Sequence, residues 1–187
     1  MDFEGEFTVP GQADDVIRRF TDIERMARCV PGASLEGQEE DGGYIGVMTV
    51  AFGPKKIKLR GRVYCEFDLK NHSGLIRGRA AADMRAARVE VRTTFTVRDD
   101  ASSETPASIV SLKSEADLQG VLAEFARTGG TAVANVIMEE FARRLAVEFS
   151  SDGSSDVAGS EAAAVSGFKI MKEAGKKWIQ SRLPGRS

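Results

Sequence analysis

The stretch KIKLRGRVYCEF at 56–67 alternates between two classes of residue along almost its whole length. One set is apolar or small and comprises Ile57, Leu59, Gly61, Val63, Cys65 and Phe67. The other set is charged and comprises Lys56, Lys58, Arg60, Arg62 and Glu66. Because successive side chains of a strand point to opposite faces, this pattern predicts a long strand in an antiparallel sheet with one dry face and one solvated face.

Further segments at 3–9, 44–52, 75–82, 88–98 and 108–118 read as strands of the same sheet. ADDVIRRF, which starts at residue 13, and the segment after Thr21 instead have helical spacing, and Thr21 with Glu24 fits a capping box for a second short helix. A long helix is predicted at 121–149, with a bend or close packing at Gly129-Gly130. Its apolar stripe comprises Leu122, Phe125, Val133, Ile137, Phe141 and Leu145. This order of elements predicts an α+β fold with the helices on one face of the sheet.

The segment CVPGASLEG at 29–37 interrupts the second short helix at a Pro-Gly pair. Proline pushes the residue before it out of the helical region, and glycine permits the turn that follows. We therefore expect this segment to join the helix to the sheet.

Charge separates the C-terminal segment from the rest of the chain. Residues 160–187 carry six Lys or Arg and two Asp or Glu, a net charge of +4, so the other residues carry −6 of the total of −2. A body with that charge does not fit the electrostatic footprint of a nucleic-acid-binding protein. We expect a globular domain at 1–149, a flexible linker at 150–162 and a tail helix at 163–187.

The predicted tail helix is amphipathic, with aromatic and apolar residues on one side and lysines on the other. The residues expected to contact a membrane or a partner are Phe168, Met171, Lys172, Lys176, Trp178 and Ile179. This pattern is typical of a helix that lies in the headgroup region of an anionic membrane. Docking of the helix on a partner protein or on its own domain is the alternative.

The residues argue against most catalytic and metal sites. His72 is the only histidine, and it lies in a polar turn, so no Ser-His or Cys-His pair is expected in a pocket. The chain has no HExxH motif, no phosphate-binding GxxxxGK[ST] motif and no cysteine cluster, since Cys29 and Cys65 are far apart. We predict no catalytic residue, no metal and no resident cofactor. Unpaired cysteines without a secretory leader favour a reducing cytoplasm, and no apolar run reaches the ~20 residues of a membrane span.

Several segments together resemble a known family. VPGQADDVIRRF, CVPGASLEG, FGPKKIKLRGRV and LQGVLAEFA are similar to segments of the CoxG family of carbon monoxide dehydrogenase subunits, which belongs to the SRPBCC or START-like (Bet v 1-like) superfamily. The resemblance covers roughly 1–149 and implies a helix-grip fold, in which a curved seven-stranded antiparallel sheet surrounds a long C-terminal helix. It also implies an accessory protein of a molybdenum-containing CO dehydrogenase or related hydroxylase, involved in maturation, membrane attachment or electron transfer to quinone.

A sheet that curves around a helix without filling the gap leaves an apolar cavity, so we expect a carrier of an apolar molecule. The resemblance implies that this molecule is a lipid or a quinone. The expected cavity residues are Val50, Phe52, Leu59, Val63, Val91, Phe95, Leu112, Phe125 and Ile137. The expected entrance residues are Met26, Val30 and Pro31. The alternatives are a polyketide cyclase-like enzyme and an assembly factor that does not use its cavity. Peripheral contact with the inner face of the cytoplasmic membrane is expected through the tail.

The solvated face of the predicted sheet carries a basic band. Its members are Lys56, Lys58, Arg60, Arg62, Arg77, Arg79, Arg88 and Arg92. A hydrated face that prevents aggregation is the favoured interpretation, and binding of an acidic partner or of anionic headgroups is the alternative.

Overall fold

The computed structural model describes residues 1–52, 55–82, 87–128 and 130–150. Within them the elements run in the order β1 (Asp2–Pro10), α1 (Ala13–Phe20), α2 (Ile23–Cys29), β2 (Ala33–Gln38), β3 (Tyr44–Phe52), β4 (Lys55–Asp68), β5 (Ser73–Ala81), β6 (Arg88–Asp99), β7 (Ala107–Gln119), α3 (Val121–Thr128) and α4 (Gly130–Ser150). The predicted linker and tail lie outside the described residues from residue 151 onward. The α+β class and the helix-grip arrangement are confirmed.

The strands form one seven-stranded sheet in the order β1-β7-β6-β5-β4-β3-β2. Every neighbouring pair is antiparallel. Consecutive strands from β2 to β7 pair as neighbours, and β1 pairs with β7 at one edge of the sheet. The first and last of the described strands therefore lie side by side.

The short strand β2 was not predicted from the alternation. It has six residues, most of them exposed, and its register with β3 shifts between Leu35 and Gly37. A β-bulge of this kind breaks the period of two on which the sequence argument depends.

The start of α2 differs from the predicted capping box. The N-cap is Asp22, whose carboxylate accepts a hydrogen bond from the Arg25 backbone N–H at 3.0 Å. Thr21 instead ends α1, because its hydroxyl donates to the Arg18 carbonyl at 2.7 Å. The capping box at Thr21 was therefore wrong by one residue, and the aspartate makes the bond that was assigned to the threonine.

The helical segment after β7 is described as α3 and α4, and residue 129 between them lies outside the described residues, so the bend or close packing expected at Gly129-Gly130 stays a prediction. Helix α4 packs closely on β1, where a Cβ at Gly5 would lie 3.5 Å from Met138 Cε. The rings of Phe7 and Phe141 meet edge to face with centroids 5.9 Å apart. These contacts hold the long helix against one side of the sheet.

The end of α4 is fixed by α1 and α2. Arg19 donates to the Phe149 carbonyl at 3.2 Å and lies over the ring of the same residue. Arg25 forms an ion pair with Glu148. The last carbonyls of a helix have no partner within the helix, so these arginines satisfy groups that would otherwise depend on water.

Candidate ligand-binding site

Most apolar side chains of the strands lie on the side of the sheet where Phe7 contacts Phe141 of α4, and we call this side the inner face. At one end of the inner face, Val97 and Val110 pack with Leu145 and Phe149 of α4 in a first buried cluster. At the other end, Ile57 and Leu59 of β4 pack with Leu122 of α3 in a second cluster. The core is therefore divided between the two ends of the sheet.

Two transverse rows of inward residues lie between these clusters, and we call them the middle rows. The pairing of the strands places Cys65, Ile76, Thr93, Ser114 and Phe3 in the first row. It places Tyr44, Val63, Gly78, Val91 and Ala116 in the second row. Apart from Ile76, which packs against the first cluster, and Gly78, which is buried, these residues are half-buried and belong to neither cluster.

The burial of the apolar stripe on the helix changes in the same way along its length. Leu145 and Phe149 are buried in the first cluster, and Phe141 packs against that cluster. Val133 and Ile137, which are closer to the start of α4, are half-buried and belong to neither cluster. Apolar side chains of the sheet and the helix thus keep accessible surface in the same interval, and we take this interval as the candidate binding site.

The predicted cavity residues divide between this interval and its ends. Val63, Val91 and Ile137 are half-buried within the interval, and Val50 is half-buried on β3 beside Ile57. Leu59 and Phe95 are buried in the second and first clusters, and Leu112 packs against the first. The side chains of Phe52 and Phe125 lie outside the described ones. The role of the whole set in binding stays a prediction.

The strand glycines make close approaches that a side chain would block. A Cβ at Gly61 would lie 1.9 Å from the Arg79 carbonyl oxygen on the neighbouring strand. A Cβ at Gly74 would lie 2.4 Å from the Phe95 ring, which covers that glycine. These two positions need glycine for packing between strands and beneath an aromatic ring, since glycine within a strand often marks a close approach of the backbone.

The polar groups of the middle rows are few. The hydroxyls of Thr93 and Ser114 lie 2.8 Å apart across β6 and β7. Burial raises the pKa of the Cys65 thiol to about 11. This thiol is almost entirely protonated near neutral pH, and it is therefore a poor nucleophile.

The segment between α2 and β2 packs closely against β3. The Gly32 carbonyl accepts a hydrogen bond from the Thr49 backbone N–H at 2.8 Å, and a Cβ at Gly32 would lie 2.5 Å from the Thr49 oxygen. Of the predicted entrance residues, Met26 and Pro31 are buried and Val30 is half-buried. The Pro-Gly break is thus a corner that docks against β3, and the entrance role of its neighbours stays a prediction.

The basic band lies on the outer face of the sheet, and carboxylates balance several of its arginines. Arg60 pairs with Glu36 at 2.7 Å, and Arg62 pairs with Glu39 at 2.6 Å. Two further pairs join Arg77 to Glu66 and Arg79 to Glu90. All four arginines are more than half exposed. This arrangement favours the hydrated-face interpretation over an acidic partner.

Two open grooves on the outer face, of about 450 and 240 Å³, are distinct from the candidate site. The outward residues of the larger groove are Glu4, Glu6, Thr94, Thr96, Ser111 and Lys113. Lys113 pairs with Glu4 at 2.8 Å within it. Among the described residues there is no cluster of three or more metal-ligating side chains, and no helix has the length and apolarity of a membrane span.

Comparisons with known proteins agree with this architecture. A model of the CoxG family of carbon monoxide dehydrogenase subunits matches residues 5–150. No curated protein matches the chain. A conserved protein from Geobacillus kaustophilus has a similar structure, with a TM-score of 0.67, 14% identity, and coverage of 80% of this chain and 95% of that one.

Two further solved structures share the fold. The Zhui aromatase/cyclase from Streptomyces sp. R1128 has a TM-score of 0.57 at 16% identity, with coverage of 79% of this chain and 92% of that one. The lipid transfer and protein localization domain of human StarD13 (DLC2) has a TM-score of 0.50 at 10% identity, with coverage of 77% and 76%. At such identities the likeness establishes the fold alone.

Proposed function

The chain belongs to the CoxG family of carbon monoxide dehydrogenase subunits, and on that premise we propose that it carries an apolar small molecule, a lipid or a quinone, between its sheet and its long helix. The single observation that supports this most directly is the division of the core. Apolar side chains on the sheet and on α4 remain half-buried between two clusters that are themselves well buried. A protein interior is normally packed to the density of an organic crystal, so an apolar interval with accessible surface is suited to a guest molecule.

Binding is favoured over catalysis by the chemistry of the middle rows. Their polar groups are two hydroxyls, a thiol and the phenol of Tyr44. General acid–base work at neutral pH usually depends on a carboxylate, histidine or lysine placed beside the reacting atom. The Cys65 thiol, with its pKa of about 11, is poorly suited to nucleophilic attack. A polyketide cyclase-like enzyme is therefore the second candidate, supported by the fold that the chain shares with an aromatase/cyclase.

The cavity proposal is tested with a fluorescent apolar probe, N-phenyl-1-naphthylamine, and the full chain. Ala116 lies inward in the second middle row, whereas Ala81 is exposed on the outer face. A phenylalanine at Ala116 would occupy the interval, so Ala116→Phe should weaken probe binding by more than about tenfold, while Ala81→Phe should leave it unchanged. Ala116→Leu is the milder variant if the phenylalanine lowers the stability too far.

Two results would contradict the cavity proposal. One is a wild-type chain that does not bind the probe, and the other is equal binding by both phenylalanine variants and the wild type. Retention of binding only in Ala81→Phe would place the probe on the inner face. An assembly factor that does not use its cavity would be unaffected by either change in a functional assay.

The partner of the carrier is proposed from the family alone. The family takes its name from carbon monoxide dehydrogenase, and we propose that the chain serves a molybdenum hydroxylase of that kind, by recruitment to the membrane or by passage of electrons to quinone. Co-purification of the tagged full chain with a molybdenum hydroxylase from its own cell is the expected result. Absence of any such enzyme under conditions in which the hydroxylase is expressed would remove this part of the proposal.

Peripheral membrane contact is proposed from the tail sequence. Trp178 and Ile179 would insert at headgroup depth, and Lys172 and Lys176 would each add about 1 kcal/mol of attraction to anionic lipid. Flotation with vesicles rich in phosphatidylglycerol should carry the wild-type chain, and Trp178→Ser with Ile179→Ser should reduce that fraction severalfold. Equal flotation of the variant would count against the membrane role and favour docking on a protein.

A further inference from the structure

The Thr93 and Ser114 hydroxyls stand in an otherwise apolar part of the inner face. Their oxygens are 2.8 Å apart and part-buried. Ile76 and Phe3 lie on either side of them in the same row, and Val91 and Ala116 are their neighbours in the next row. The hydroxyls are thus a polar point within apolar surroundings in the candidate site, at the border of the first cluster.

The bond between the two hydroxyls does not use all of their hydrogen-bonding capacity. Each hydroxyl offers one donor and two acceptor positions. Their mutual bond uses one of the two protons and one acceptor position, so a proton remains to be donated. The pair is only part-buried, so a guest that displaces water from it would leave that proton unpaired, at a cost, unless the guest itself offers an oxygen acceptor.

We propose that Thr93 and Ser114 recognise the carbonyl oxygen of an apolar ligand and so select an oxygen-bearing ring or chain over a plain hydrocarbon. This inference rests on the proposed carrier function, because it assigns the polar contact within the same site. The remaining hydroxyl proton is donated to the ligand oxygen, and the apolar remainder of the ligand lies against Val63 and Val91. No bond of the ligand is made or broken.

A structural role of the pair is the competing explanation, since cross-strand Thr–Ser hydrogen bonds stabilise sheets. The chain offers a matched control on the same two strands. Thr96 and Ser111 face each other across β6 and β7 in the register of the outer face. The same pair of substitutions can therefore be made on either face of the sheet.

The test compares two probes of the same shape, 2,3-dimethyl-1,4-naphthoquinone and 2,3-dimethylnaphthalene, by equilibrium dialysis against the full chain. Replacing Thr93 with Val and Ser114 with Ala should raise the Kd of the quinone about 5- to 10-fold and leave the Kd of the hydrocarbon within about twofold. The control, Thr96→Val with Ser111→Ala, should change neither value. Thr93→Ser, which keeps a hydroxyl, should retain most of the quinone affinity.

The outcomes separate this inference from the carrier function. If both probes bind and the inner-face variant shifts them equally or not at all, the recognition role is overturned and the carrier function stands. If neither probe binds the wild type, both are overturned. A melting temperature measured for each variant excludes unfolding as the cause, and Ser114→Ala alone serves if the double variant is unstable.

Discussion

Substitution of Gly61 by alanine should destabilise the domain strongly, whereas the same change at Gly46 should not. The two glycines face each other across β3 and β4 on the inner face. A Cβ at Gly61 would lie 1.9 Å from the Arg79 oxygen and 2.5 Å from Ala80 Cα, so the backbone of β4 or β5 would have to move. A Cβ at Gly46 would meet nothing closer than 3.6 Å, at Leu35 Cδ2.

The expected changes in the free energy of unfolding differ in sign between the two variants. Alanine in place of glycine restricts the unfolded chain, which stabilises a protein by roughly 0.4–1 kcal/mol where the folded backbone accepts it. Gly46→Ala should therefore be neutral or slightly stabilising. Overpacking against backbone atoms costs typically about 1–3 kcal/mol, so Gly61→Ala should be less stable than Gly46→Ala by about that amount, because the entropic gain is common to both variants. For a domain of this size each 1 kcal/mol corresponds to roughly 2–4 °C in Tm.

Urea unfolding of the two variants, followed by far-UV circular dichroism, measures the difference directly. A Gly61→Ala variant within about 0.5 kcal/mol of Gly46→Ala would refute the reasoning, because it would mean that β4 and β5 do not approach as closely as described. A changed slope of the unfolding curve would instead indicate that the native state has become less compact.

Three further predictions follow from local contacts. Asp22→Ala should lower the free energy of unfolding by about 1 kcal/mol through loss of the α2 N-cap, which is more than the effect of Thr21→Ala. Equal losses for the two variants in chemical denaturation would contradict the assignment of the cap. The hydrogen bond from Arg143 is the first cause that lowers the pKa of Glu140 to about 2, so its contribution is present above about pH 4.5 and is lost as pH falls towards 2. Glu140→Gln should therefore cost about 0.5–1 kcal/mol at pH 7 and almost nothing at pH 2, and a pH-independent cost would contradict this. Because the pKa of the Cys65 thiol is about 11, its rate of reaction with iodoacetamide should rise about tenfold per pH unit between pH 8 and 10. A bound ligand should slow this reaction. A rate equal to that of free cysteine would contradict the prediction.

The alternating strands were predictable because burial of one face imposes a period of two on the sequence. The segment 56–67 identified β4 to within one residue at each end, since the element spans Lys55–Asp68. The strand β2 escaped this argument because a bulge breaks its period and most of its side chains are exposed. The N-cap of α2 was not predicted correctly because Thr21 and Asp22 are both good capping residues, and only the end of α1 decides between them.

The candidate site was only partly predictable for a different reason. Alternation indicates which residues face inward, but the register between strands decides which of them share a row. Thr93 and Ser114 were not predicted as site residues, although each falls on the apolar parity of its strand, because their proximity depends on the pairing of β6 with β7. Leu59 and Phe95 were predicted to line the cavity, and they lie in the two clusters at its ends.

The mass of the purified native chain tests the central claim most directly. A carrier should show, under gentle native ionisation, a mass above that of the polypeptide that disappears after extraction with organic solvent and returns when the extract is added back. The Ala116→Phe variant should carry much less of this added mass, and Ala81→Phe should carry as much as the wild type. A wild-type chain that is always found at the polypeptide mass, and that takes up neither its cellular extract nor an apolar probe, would contradict the account.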